Sequence, residues 1–110
     1  MYKLFAVWTN PEPEDVEAFE RHYTEVHAPL AASIPGVRRM VLTRTADALG
    51  EEPSPLHRIT ELWFDDQEAL AAAAASPEGQ ATIADAAALV ERFGVELTST
   101  GGTAVEQPLR

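Results

Sequence analysis

A chain of 110 residues has room for one domain and one core, and a core of that size leaves much of the surface wet. Its 18 acidic residues stand against 8 basic ones, a net charge of −10, so the surface repels a phosphate backbone and no nucleic-acid partner is expected. The absence of cysteine removes disulfides, thiolate metal sites and thiol nucleophiles together, and no apolar run approaches the roughly 20 residues that span a bilayer.

The N-terminus carries no secretory-leader pattern, so the expected location is cytoplasmic, with no membrane association. Residues 2–9, YKLFAVWT, are rich in aromatic and branched side chains and predict a strand. Both of its faces, Tyr2-Leu4-Ala6-Trp8 and Lys3-Phe5-Val7-Thr9, are largely apolar, which predicts that both sides of its sheet are covered. Residues 10–34 open with turn chemistry and continue as a helix, with Glu12, Glu14, Asp15 and Glu17 where a helix N-terminus favours acids. Val16, Phe19, Tyr23, Val26 and Leu30 follow helical spacing and form the expected buried stripe.

Pro35-Gly36 is a turn. Residues 37–44, VRRMVLTR, predict a second strand with Val37 and Val41 on one face and Met40 and Leu42 on the other. A polar loop, ADALGEEPSP, leads to a third strand over 57–64, HRITELWF. A second helical region follows, capped by Asp65 or Asp66 and divided by Pro77 and Gly79, with Ile83, Ala87 and Val90 as its later apolar face. Residues 95–100, VELTST, predict the fourth strand. A single domain over 1–100 is expected, and residues 101–110 are a tail that is either frayed or used in a subunit contact.

Two strand–helix–strand halves make a βαββαβ unit. The expected fold is α+β, a ferredoxin-like plait: a four-stranded antiparallel sheet with its helices on one face. That leaves the other sheet face bare in a monomer. Pairing of two sheets in a homodimer, an α+β barrel, is the simplest way to cover it.

FERHYTEVHAPLAASIPGVRRM followed by TELWFDDQEALAAAAASPEGQATIAD resembles the EthD family of dimeric α+β barrel proteins. Its specific part is F-x-x-x-Y-x-x-x-H-x-P-L, filled by Phe19, Tyr23, His27, Pro29 and Leu30, with Trp63-Phe64 and Ser76-Pro77-Glu78-Gly79 further on. The resemblance implies the plait paired through its sheets, with a small-molecule cleft between sheet and helices. It implies a link to catabolism of ethers and other small organic compounds. Broader relatives of such barrels include lactone isomerases, polyketide cyclases and cofactor-free oxygenases, and fold alone does not choose among them.

Two readings stand for His27. It lies about 40° from Tyr23 on a helical wheel, on the polar flank of the stripe, where it faces a pocket and moves a proton. Alternatively it is structural and binds the carbonyl of Glu25, which loses its partner to Pro29. Tyr23 either donates to a substrate oxygen or is a core tyrosine with its hydroxyl at the rim. His22 points about 100° from Tyr23 and is expected to face solvent. His57 opens the third strand on the side of Glu61 and Trp63, and Glu61 is expected to pair with Arg39 or Arg44. Trp8 and Trp63 either line an aromatic cleft or pack in the core or a dimer interface. With Trp8, Trp63, His57 and Glu61 as candidate ligand-binding residues, and His27 and Tyr23 as candidate catalytic ones, the expected ligand is a small apolar organic molecule. No metal and no cofactor are expected: the histidines are not at i, i+4 spacing, and Gly101-Gly102 opens no helix as a phosphate loop requires. The expected chemistry is cofactor-independent proton transfer of isomerase or cyclase type. The rivals are a non-catalytic ligand carrier of a degradation pathway and a cofactor-free oxygenase.

Overall fold

The computed structural model describes residues 1–47, 49–50 and 52–110; of the expected loop over 46–55, Ala48 and Glu51 lie outside them. The strands are β1 (Tyr2–Thr9), β2 (Arg39–Arg44), β3 (Leu56–Phe64) and β4 (Leu97–Thr103). They form one sheet in the order β2-β3-β1-β4, with every neighbouring pair antiparallel. The βαββαβ plait is therefore present, with β1 and β3 in the middle as the most apolar strand sequences require.

Successive strand residues alternate between faces, so the pairing sorts them. Leu4, Ala6 and Trp8 stand opposite Leu62, Thr60 and Arg58, and this set meets the helices. Phe5, Val7, Ile59, Glu61 and Trp63 form the other set, half-buried and part of neither core cluster. One cluster joins Trp8, Phe19, Tyr23, Leu89, Phe93 and Val95. The second joins Ala31, Leu62, Phe64 and Ala73. The molecule is a slab of 43 × 39 × 18 Å, two layers thick.

The first helical segment begins with a short 3₁₀ turn at Pro13–Asp15 and continues as α1 (Val16–His22). A single π turn over Tyr23–His27 follows, and α helix resumes as α2 (Ala28–Ala32). The widened turn is closed by Ala28 N–H donating to the carbonyl of Tyr23. It rotates every later residue backwards about the axis. Val26, expected in the buried stripe, is 42% exposed, while His27 and Ala28 turn inward beneath Tyr23. Leu30 is only half-buried and Ala31 takes the core position instead. Strict 3.6-residue periodicity cannot anticipate one inserted residue.

The remaining departures are local. Val37 precedes β2 and packs on the second core cluster, not beside Val41. Asp66, not Asp65, caps α3 (Gln67–Ala75) by accepting from Ala69 N–H, because Asp65 is held by Arg38 at 2.9 and 3.1 Å. Ser76 caps α4 (Pro77–Phe93), which ends at Gly94 in the left-handed region. The exposed residues of α4 include Ile83, and the buried ones are Gly79, Leu89 and Phe93. The fourth strand starts at Leu97, later than expected, and runs through Gly101 and Gly102 to Thr103. Beside Gly101 packs the Tyr2 ring, where a Cβ would come within 2.8 Å of it.

Candidate functional site

Between the sheet and the helices lies a cavity of about 510 Å³, within the size range of small-molecule sites. Its floor is the inward set of the sheet, including Ala6, Trp8, Thr60 and Leu62. Ile83, Ala87 and Val90 line it from α4, which explains an apolar stripe that packs on no core cluster at Ile83 and Ala87. Among the described residues, His27 and Glu91 bring the only imidazole and carboxylate to its lining.

The π turn decides how His27 enters. It places the imidazole below the Tyr23 ring, 5.8 Å centroid to centroid and 27° from parallel, with the edge of Trp8 5.4 Å away. Nδ1 is 2.9 Å from Oδ2 of Asp85. A carboxylate only accepts, so the proton of the neutral ring sits on Nδ1, and Nε2 keeps its lone pair. Nε2 has no hydrogen-bond partner among the described residues. The expected bond to the Glu25 carbonyl is not made. Burial lowers the His27 pKa below that of a free imidazole; Asp85 opposes that shift and His22 adds to it.

Tyr23 is fully buried, and its hydroxyl shares a hydrogen bond with Thr60 Oγ1. Burial raises the phenol pKa, against the opposing influence of Thr60 and of Arg58, whose guanidinium lies 4.9 Å from the ring centroid. The phenol stays protonated near neutral pH. The two hydroxyls carry two protons and use one on each other, so the pair has one left to offer from the cavity floor.

The structure brings Tyr23, His27 and Trp8 together on the cavity and leaves three other candidates away from it. His57 is buried but bound to Glu20: its Nε2 is 2.9 Å from Oε2. The register of β1 on β3 passes from Trp8↔Arg58 to Thr9↔Leu56, so His57 is a bulged extra residue. The bulge lets Arg58 and His57 reach the same carboxylate, with Arg58 at 2.5 and 3.1 Å. Burial resists ionisation of Glu20, but these two partners outweigh it and hold its pKa below the usual carboxylate value. Glu61 and Trp63 lie on the helix-free sheet face. Glu61 pairs with Lys3 at 2.6 Å, not with an arginine, and Trp63 carries Lys3 and Arg39 over its ring at 4.3 and 4.8 Å. His22 is half-buried rather than solvent-facing, because Asp85 holds it as well.

Two residues that bind the cavity side chains, Asp85 and Thr60, belong to no sequence motif. Asp85 has a signal: it falls i−4 and i−8 from the core residues Leu89 and Phe93, an acid on the buried line of an alanine-rich helix. Thr60 alternates with Leu62 and Phe64 on the inward face of β3. Among the described residues no group of three or more His, Asp or Glu side chains is placed to hold a metal ion, and no helix is long and apolar enough to cross a membrane.

An open four-stranded antiparallel sheet with its helices on one face is a ferredoxin-like α+β fold. The EthD domain model matches residues 11–92, so the chain belongs to the EthD family. An uncharacterised 11.0 kDa protein of Rhodococcus erythropolis, in the thcB–thcC intergenic region, is 36% identical over 87 residues, 79% of this chain and 82% of that one. The crystal structure of an ethyl tert-butyl ether D (EthD) family protein from Bacillus halodurans C-125 superposes with a TM-score of 0.85 at 34% identity, covering 96% of this chain and 99% of that chain. SnoaB, a cofactor-independent oxygenase from Streptomyces nogalater, is similar in fold alone, at TM-score 0.62 and 19% identity over 96% of this chain and 94% of that one.

Proposed function

We propose that the cavity takes a small, largely apolar organic molecule and that His27 moves a proton on it without a cofactor, as in an isomerisation or a cyclisation. The observation that carries this reading is the state of the imidazole. Its Nδ1 is committed to Asp85, and its Nε2, without a hydrogen-bond partner among the described residues, stands at an apolar cavity. Burial keeps the ring neutral near pH 7, which is the form a general base needs. The spare proton of the Tyr23–Thr60 pair is suited to a carbonyl or hydroxyl oxygen, and it is offered by whichever hydroxyl is not donating to the other. In that arrangement His27 Nε2 removes a proton next to the carbonyl, the electron pair moves to the oxygen, and the imidazolium returns the proton at another atom.

The rival reading is a carrier that binds the same class of molecule and performs no chemistry. Deuterium exchange separates the two. The protein is incubated in D₂O with a panel of neutral ketones and lactones. Binding is followed by tryptophan quenching in a Trp63→Phe background, and incorporation beside the carbonyl by NMR. Acid/base chemistry predicts exchange that falls about 100-fold or more in His27→Gln, with binding retained. Binding without exchange in the unsubstituted protein favours the carrier.

The face carrying Phe5, Val7, Ile59 and Trp63 supports a further part of the proposal, a homodimer paired through its sheets. The exposed Val105 and Leu109 of the C-terminal residues 104–110 would add apolar surface to such a contact.

A further inference from the structure

Asp85 stands between two imidazoles. His22 Nε2 is 2.8 and 3.0 Å from its two oxygens, and His27 Nδ1 is 2.9 Å from Oδ2. Both neutral rings must therefore turn an N–H toward it: Nε2–H on His22 and Nδ1–H on His27. The rings differ in their surroundings. His27 is buried at the cavity. His22 lines a small surface groove with Arg21, Glu25 and Arg92.

We propose that Asp85 is the positioning residue of His27, and that His22, by sharing that carboxylate, couples the protonation of the cavity imidazole to the protein surface. This deepens the acid/base reading of His27 and rests on it. One negative charge serves two rings. A proton gained by His22 places a like charge near His27 and draws on the Asp85 charge, so His27 becomes a weaker base as the surface acidifies. The groups around it leave Asp85 as the shared element. From its own helix His27 meets His22 and Tyr23. From α4 come Asp85 and, on the cavity wall, Glu91. From β1 the neighbour is Trp8, which does not titrate. On β3 the charge of Arg58 is spent on Glu20 beyond the Tyr23 ring.

The test is ¹⁵N–¹H NMR of the imidazoles in the full chain, which needs no substrate. At high pH the unsubstituted protein should show His27 as the Nδ1–H tautomer and His22 as the Nε2–H tautomer. Asp85→Asn offers one acceptor oxygen and one donor NH₂, so one of the two rings should reverse its tautomer. Adding His22→Phe to Asp85→Asn removes the competitor and should leave His27 as the Nδ1–H tautomer. His22→Phe alone should raise the titration midpoint of His27, as loss of a nearby like charge does. An Nε2–H tautomer for His27 in the unsubstituted protein overturns the proposal. So does unchanged tautomerism in Asp85→Asn, or a midpoint that stays put or falls in His22→Phe. If Asp85→Asn does not fold, the His22→Phe titration decides. If the NMR results hold while His27→Gln leaves exchange on a bound ketone unaltered, the positioning stands and the acid/base reading falls.

Discussion

At the scale of single residues, the site is set by which carboxylate holds which base. His27 is buried and its pKa is lowered, so the unfolded chain takes up a proton before the folded one does. Its contribution to stability is present above the unfolded value of about 6.5 and shrinks as the pH falls from there toward the folded pKa. Melting temperatures of the unsubstituted protein and of His27→Gln, measured from pH 8 to pH 5, should show the difference between the two moving against the histidine protein below about 6.5. A constant difference across that range would mean that His27 titrates as it does in the unfolded chain. Glu20 works in the same sense, at lower pH. Its pKa is lowered, so its contribution is present above the ordinary carboxylate value and is lost as the pH falls through the folded one. Glu20→Gln leaves Arg58 and His57 without their anion and should cost about 3 kcal/mol in urea denaturation at pH 7. A loss under about 1 kcal/mol would place the cluster in water.

At the scale of elements, two joints aim the side chains. The π turn exchanges Val26 for His27 and Ala28 on the buried side of the helix. Truncating Val26 to Ala should therefore cost no more than about 0.5 kcal/mol, as for an ordinary surface position, whereas Phe19→Ala should cost about 3–5 kcal/mol. Equal costs for the two would restore the regular helical stripe. The second joint is the junction of α3 and α4. A Cβ on Gly79 would lie 2.1 Å from the carbonyl oxygen of Ala73 and 3.0 Å from two further backbone atoms. Backbone on both sides cannot give way as a side chain tip can. Gly79→Ala should destabilise the protein by about 3 kcal/mol or more, and a neutral result by thermal melting would show that the two helices separate freely.

At the scale of the whole molecule, the decisive feature is the bare face of an 18 Å slab. Phe5, Val7, Val41, Ile59 and Trp63 share it with the Lys3–Glu61 pair, in a pattern more apolar than a wet antiparallel sheet carries. The homodimer proposal predicts about twice 11.9 kDa by sedimentation at micromolar concentration. Val7→Asp with Ile59→Asp places two charges per subunit in the contact and should give a monomer. A well-folded monomer from the unsubstituted chain would leave that face without a partner.

The plait was legible from residues alone. Two-sided apolarity marked β1, turn chemistry at Pro35-Gly36 and Pro77 divided the elements, and local periodicity is what strands and helices are made of. The phenylalanine, tyrosine and histidine spacing carried the family and, with it, His27 and Tyr23. What stayed hidden depends on rotation and on partners distant in the chain. A single π turn moved Val26 out and His27 in without altering composition. A single bulged residue turned His57 toward Glu20 rather than toward Trp63. Asp85 lies 58 residues from His27 in the chain, and the bond between them exists only because α4 packs across the first helix. Periodicity reports the face of an element averaged over its length. A site is made by the few residues whose orientation departs from that average, and the packing of separate elements sets that orientation.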